Sequence, residues 1–202
     1  KAIEKIKPLE IDAICPGHGP VHREYLKEIV DLSLKYSNDY LSLISGNTVR
    51  RVLIAYVSAY GYTKQAAEYI AQGISEAGNF DIDIADIENI GTGDLDLKLA
   101  SADAILAGSP TINQNTLLPV YKLFALLNPI RDRGKIAGAF GSYGWSGEAP
   151  GIILDNFRKL KLKTFDETGA FKFSPGAHKK DTLVEFGKKF ARQILENCAE
   201  IK

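Results

Sequence analysis

The chain has 202 residues, 45% of them apolar and 25% charged, the balance of an ordinary globular protein with one large domain or one domain plus an appendage. Twenty-five basic residues meet twenty-five acidic ones, and a net charge of zero argues against a nucleic-acid or membrane-surface binder, which would carry a basic excess. No apolar run is long enough to cross a bilayer, and Lys1 leads into IEKIKPLEIDAI without the apolar stretch of a signal peptide.

The two cysteines, Cys15 and Cys198, lie far apart in unlike contexts. They form neither a disulfide framework nor a zinc ribbon, and the expectation is two free thiols in a reducing cytosol, hence a cytoplasmic protein. The sequence begins with lysine and lacks methionine altogether, so it reads as a fragment or a processed product.

In chain order, a short apolar run, Ile11 to Ile14, ends at the loop CPGHGP. Tyr25, Leu26, Ile29, Val30, Ser33, Tyr36, Tyr40 and Ile44 then recur at helical spacing, with a stop signal at Ser45-Gly46-Asn47. A domain boundary is placed there, giving residues 1–46 and 47–202. Arg51 to Val57 is a near-continuous apolar run, as in a strand buried on both faces. A helix follows from Thr63 to Gly78, with Ala67, Ile70, Ala71 and Ile74 on one face. Phe80 to Ile87 alternates with period two and reads as an edge strand covered on one side. Leu95 to Ala100 suggests a short helix, Asp103 to Ser109 another buried strand, and Pro119 to Leu127 a helix opening on proline. KIAGAFGS is a fourth strand, Pro150 to Leu160 a helix, Lys163 to Phe173 a fifth strand. Asp181 is the expected cap of a last helix bearing Leu183, Phe186, Phe190, Ala191 and Ile194. Five strands alternating with five helices mean an open, doubly wound parallel α/β sheet.

In such sheets ligands bind outside the carboxyl ends of the strands. After the first strand comes Ser58-Ala59-Tyr60-Gly61-Tyr62-Thr63, where small residues let backbone N–H groups converge on an anion. Ser58 and Thr63 add hydroxyls, and the following helix adds the partial positive charge of its N-terminus. A plain strand-to-helix turn with Thr63 as N-cap would carry the same residues. After the third strand comes Ser109-Pro110-Thr111-Ile112-Asn113-Gln114-Asn115, able to offer amide groups to a heterocycle while Ile112 touches its face. After the fourth comes Gly141-Ser142-Tyr143-Gly144-Trp145-Ser146-Gly147-Glu148-Ala149, glycines alternating with aromatics, among them the only tryptophan of the chain. Phosphate donors, a polar clamp and an aromatic wall together describe a site for a mononucleotide with a flat ring.

Residues 50 to about 198 resemble the flavodoxin-like domain in these three loops. SPTIN and GSYGWSGEA look most like the version in flavodiiron proteins (A-type flavoproteins), which join a metallo-β-lactamase-like diiron domain to a flavodoxin-like one. ICPGHGPVHR is similar to the end of that lactamase-like domain, so residues 1–46 would be its remnant and 47–202 the flavodoxin-like domain, with strand order 2-1-3-4-5. The resemblance implies FMN, its phosphate held by Ser58, Ala59, Tyr60, Gly61, Tyr62 and Thr63. Pro110, Thr111, Ile112 and Asn113 would border the ring; Ser142, Tyr143, Gly144, Trp145 and Gly147 would form the other wall. One aromatic, Tyr143 or Trp145, would stack on the ring. It further implies electron transfer from rubredoxin or another reductase to a diiron site reducing dioxygen or nitric oxide, in a homodimer or tetramer. His18 would be a metal ligand only in the intact protein: with His18, His22 and His178 as the only histidines, no diiron site is assembled here. Glu148 is the only acid in the flavin loop, so the expected potential for full flavin reduction is less negative than in acidic flavodoxins.

Two other readings stay open. A flavodoxin-like NAD(P)H:quinone reductase would share fold and cofactor but not ICPGHGPVHR, and a non-catalytic α/β interaction module would bind no flavin. A response regulator is disfavoured because Ala107-Gly108-Ser109 holds no phosphoacceptor carboxylate, and a metallo-hydrolase because the metal ligands are too few.

Overall fold

The computed structural model describes residues 2–44 and 49–199. It divides into two compact units, Lys1–Asn47 and Thr48–Lys202.

The first unit holds α1 (Ala2–Ile6) and α2 (Leu26–Ile44). Between them Ile14 and His22 exchange both backbone hydrogen bonds, at 2.9 and 3.0 Å, and so close the CPGHGP loop into a small antiparallel bridge. Tyr25, expected within the helix, stands just before it at φ 54 and accepts the Ile29 N–H. The stop at Ser45-Gly46-Asn47 lies outside the described residues. Val30 is the one buried side chain among the described residues of this unit, while Leu32, Tyr36 and Leu41 are exposed.

The second unit is a five-stranded sheet of β1 (Arg50–Tyr56), β2 (Phe80–Asp86), β3 (Ala104–Gly108), β4 (Ile136–Tyr143) and β5 (Lys163–Lys172). All pairings are parallel and the order is β2-β1-β3-β4-β5, as the resemblance implied. Five helices connect and flank the strands: α3 (Tyr62–Ala77), α4 (Thr92–Ser101), α5 (Leu118–Leu126), α6 (Ala149–Lys159) and α7 (Gly176–Ala199).

Period two explains the two cores. Leu53 and Ala55 of β1, and Val57 just after it, pack with Leu95, Leu99, Val120, Leu123, Ile153 and Phe157 of α4, α5 and α6. Val52, Ile54 and Tyr56 point the other way, onto Ile70, Ile74, Leu183, Phe186 and Phe190 of α3 and α7. A strand buried on both faces must be apolar throughout, and Val52 to Val57 is. The two helices on the second face touch backbone to backbone. A β-carbon on Gly73 of α3 would stand 1.9 Å from the Val184 carbonyl oxygen, and one on Gly187 of α7 would stand 2.2 Å from that of Ile70.

β2 is an edge strand, as its alternation predicts. Its phase changes near its end, however: Ala85 and Ile87 are buried while Ile84 is partly exposed. The cause is that the chain continues along β1, the Ile87 N–H donating to Tyr56 O at 2.9 Å, which tucks Ile87 into the core beneath α4. Asp181 is not a cap. α7 begins five residues earlier at Gly176, behind Pro175, whose carbonyl accepts the Lys179 N–H at 3.1 Å; His178 is therefore an exposed residue of the first helical turn rather than of a loop. α4 likewise begins at Thr92, ahead of the first apolar residue that could reveal it.

Candidate functional site

The loops that follow β1, β3 and β4 meet at one end of the sheet and enclose an open cleft of about 250 Å³. Tyr60 and Tyr62 line it from the first loop; Pro110, Thr111 and Ile112 from the second; Ser142, Tyr143, Gly144 and Trp145 from the third; and Phe173 from the end of β5.

The first loop is shaped by Gly61, whose φ of 78 lies in the left-handed region that suits glycine. Gly61, not Thr63, is the N-cap of α3, and no side chain caps that terminus. Its first-turn N–H groups therefore face the loop, where an anion is favoured by both hydrogen bonding and the helix dipole. Two hydroxyls stand beside them. Ser58 Oγ is buried without a hydrogen-bond partner. Thr63, itself buried, has its Oγ1 at 3.3 Å from Ser142 Oγ, which joins the first loop to the third. Behind the loop, burial first and the Asp86 and Glu68 carboxylates second push the Tyr56 phenol above its ordinary pKa, so that it stays neutral.

The second loop is braced from within. Ser109 Oγ accepts the Leu117 N–H at 3.0 Å and donates to Pro110 O at 2.8 Å. Ile112 and Asn115 exchange backbone hydrogen bonds around Asn113 and Gln114, whose φ values of 53 and 57 make a type I′ turn. The turn lifts exposed Asn113 away from the cleft and leaves Ile112 on its wall. Thr111 bolts this loop to the third: its N–H donates to Ser142 O at 2.8 Å, and its Oγ1 accepts the Ala149 N–H at 3.2 Å at the start of α6.

In the third loop the two aromatics differ. Tyr143 is half-buried, and Gly147, at φ 82, passes so close that a β-carbon there would lie 3.0 Å from the tyrosine ring. Trp145 is 90% exposed. Tyr143 is thus a fixed wall, while Trp145 lines the cleft with most of its surface in solvent.

A family model described as "Flavodoxin" matches residues 54–187, which take in all three loops. The chain belongs to the flavodoxin family. Within it, the chain is 35% identical over 196 residues to the flavo-diiron protein FprA2 of Clostridium acetobutylicum, covering 96% of this chain and 48% of that one. Among solved structures it is similar to a flavodoxin from the domain Archaea (30% identity, TM-score 0.62, 71% of this chain and 98% of that one). It also shares the fold of the rubredoxin oxygen:oxidoreductase from Desulfovibrio gigas (24% identity, TM-score 0.73, 98% of this chain and 48% of that one). The resemblance to A-type flavoproteins drawn from the loops is thereby upheld. The chain spans about half the length of the flavo-diiron relatives it matches.

The flavodoxin family implies FMN, and the residues present fit it. An unpartnered buried hydroxyl at an uncapped helix N-terminus suits a phosphate, and an apolar cleft between Tyr143 and Ile112 suits a planar ring. Of the residues read from the sequence, Ser58 and Thr63 sit behind the first loop with Gly61 at its turn, Gly147 supports Tyr143, and Ala59 and Asn113 are exposed outside the cleft lining. Phe173 escaped the sequence reading. It follows a strand in which aromatics at period two read as core, and the structure sets it apart because it stands one residue beyond Lys172, the last paired position of β5. His18 lies exposed in its loop, and the described residues contain no cluster of three or more His, Cys, Asp or Glu able to hold a metal. No helix among them is long and apolar enough to cross a membrane.

Proposed function

We propose that this chain binds FMN in the cleft and carries electrons for a flavodiiron oxidoreductase. The observation that carries the reading is Ser58 Oγ, buried and unpartnered beside the uncapped N-terminus of α3. A buried hydroxyl left without a partner is costly, and a phosphate would satisfy it. Ser58, Thr63 and the first amides of α3 hold the phosphate, Tyr143 and Ile112 bracket the ring, and the Thr111 bonds to Ser142 and Ala149 fix the distance between the walls. When bound, the flavin would supply a redox centre that accepts and releases electrons; the protein's part would be to hold it in the open cleft.

Residues 1–46 read as the end of a lactamase-like domain. Among its described residues that unit has one buried side chain and several exposed apolar ones, little to form a core of its own, which supports a packing partner in the half of the relatives' length not spanned here. In the intact protein a rubredoxin-like donor or another reductase would supply electrons, and a diiron site that reduces dioxygen or nitric oxide would receive them. Covalent linkage supplies effective concentration, so the relay needs no strong surface charge to find its acceptor, in keeping with the net charge of zero.

The test is the visible spectrum of the purified chain, with FMN added if it is colourless, followed by titration with FMN and with riboflavin, which lacks the phosphate. Tight FMN binding and much weaker riboflavin binding are expected. A folded chain that binds neither overturns the reading and leaves an interaction module.

A further inference from the structure

The cleft has a contributor outside the three loops. Phe173 leaves β5 at φ 60, a backbone angle a β-carbon makes costly. A hydrogen bond holds it there, with its ring beside Gly144. Its N–H donates to Tyr143 O at 2.7 Å, and its ring stands 3.5 Å from where a β-carbon on Gly144 would be. The ring lines the cleft with 58% of the residue still exposed. Lys172 pairs with Tyr143 across the β4–β5 ladder and carries its Nζ to 5.4 Å from the centre of the Phe173 ring. No carboxylate among the described residues pairs with this ammonium. A cation docked on the ring of a cleft-lining residue, without an anion of the protein's own to neutralise it, favours a negatively charged occupant.

We propose that Lys172 and Phe173 form a fourth wall of the flavin site, Phe173 positioning the Gly144 segment and Lys172 favouring the fully reduced, anionic flavin over the oxidised one. This rests on the FMN reading above. Full reduction adds two electrons and one proton to the ring and leaves one negative charge on it. The electrons come from the proposed donor or, in the test, from a chemical reductant, and the proton from solvent. The ammonium is close enough to act within a Debye length, yet solvent-exposed, so its effect is moderate and weakened by salt.

The experiment compares FMN-loaded wild type with Lys172→Gln, Lys172→Glu, Lys172→Arg and Phe173→Leu, measuring oxidised-FMN affinity by titration and the ratio of reduced to oxidised affinity from redox titration at low and high salt. Lys172→Gln should lower that ratio roughly two- to fivefold and Lys172→Glu further, Lys172→Arg should restore it, and the differences should shrink at high salt. Phe173→Leu should weaken oxidised-FMN binding and make a second change at Lys172 nearly silent. An unchanged ratio in Lys172→Glu overturns the charge role, and a full Lys172 effect in the Phe173→Leu background overturns the positioning role. Absence of flavin binding by the wild type removes the FMN reading itself and this proposal with it, an outcome distinct from binding that ignores residue 172.

Discussion

Thr63 Oγ1 and Ser142 Oγ lie 3.3 Å apart, both buried, and join the loop after β1 to the strand end that begins the loop after β4. Either hydroxyl can be the donor of that bond, so the pair can turn one proton toward a ligand while remaining bonded to each other. Thr63→Val keeps the shape and removes the oxygen. FMN affinity should fall about ten- to hundredfold, the effect of one hydrogen bond to a charged group. Riboflavin affinity should hardly move. Equal losses for both ligands would mean that Thr63 supports the cleft without touching the phosphate.

Gly61 and Gly147 both have left-handed φ but different surroundings. Nothing lies within 4 Å of a β-carbon on Gly61, whereas one on Gly147 meets the Tyr143 ring at 3.0 Å. Gly61→Ala should therefore lower stability by about 1 kcal/mol through backbone strain alone. Gly147→Ala should cost more and also displace the Tyr143 wall, so it should lose FMN affinity beyond its loss of Tm. Thermal melts with and without FMN separate the two; matching behaviour of the variants would contradict this account.

What could be read in the sequence follows from how strongly each element is constrained. β1 and β3 are buried on both faces, so their apolar runs left no choice of phase. The three loops were legible because hydroxyls, glycines and aromatics stand directly after those strands. The start of α7 was not: its first turn is Gly-Ala-His-Lys, with no large apolar residue to set the helical phase, so Asp181 looked like the beginning. Phe173 and the difference between Tyr143 and Trp145 depend on how β4 and β5 align in space, which local pattern does not encode.

The contact between α3 and α7 makes a sharper prediction. Gly73→Ala would set a β-carbon 1.9 Å from a backbone oxygen of α7, which cannot rotate away. The helices must separate, and a loss of about 2 kcal/mol or more is expected from chemical denaturation. Gly151 of α6 is the control: nothing lies within 4 Å of its β-carbon, and Gly151→Ala should stabilise by about 0.5–1 kcal/mol. A Gly73→Ala protein as stable as wild type would show that the two helices are not in backbone contact.

Asp132 is fully buried in the connection between α5 and β4. Arg131 and Lys135 reach its carboxylate at 2.8 and 2.9 Å, and the Asn128 N–H donates to it at 2.9 Å. Burial works to raise its pKa, but the hydrogen bonds from Arg131, Asn128 and Lys135 prevail and hold the carboxyl below the usual carboxylate range. A folded pKa below the unfolded one means that its contribution is complete above the unfolded value and disappears as pH falls through the folded one. Denaturation midpoints should thus be insensitive to this group at neutral pH and decline below about pH 4. Asp132→Ala should cost about 3 kcal/mol or more, because Lys135 loses the carboxylate that stands 2.9 Å from its ammonium while Arg131 keeps Asp96 at 2.8 Å, and should flatten part of that acid decline. An unaltered acid profile in the variant would assign the decline to other carboxylates.

Trp145 is the only tryptophan, so its fluorescence reports the outer wall of the cleft without labelling. At 90% exposure it should emit as a solvated indole and be quenched freely by acrylamide in the flavin-free chain. Tyr143 is packed under Gly147 as a fixed wall of the cleft, whereas Trp145 lines the cleft while almost wholly exposed. If Trp145 closes on the flavin, FMN will quench its emission and the residual signal will be shielded from acrylamide. Trp145→Ala will then weaken FMN binding roughly tenfold or more, the worth of a stacked aromatic. If Tyr143 alone forms the stacking wall, Trp145 keeps its accessibility to acrylamide in the FMN complex, and Tyr143→Leu, not Trp145→Ala, carries the loss of affinity. The acrylamide measurement distinguishes the two because FMN can quench by energy transfer from a distance, while shielding requires contact.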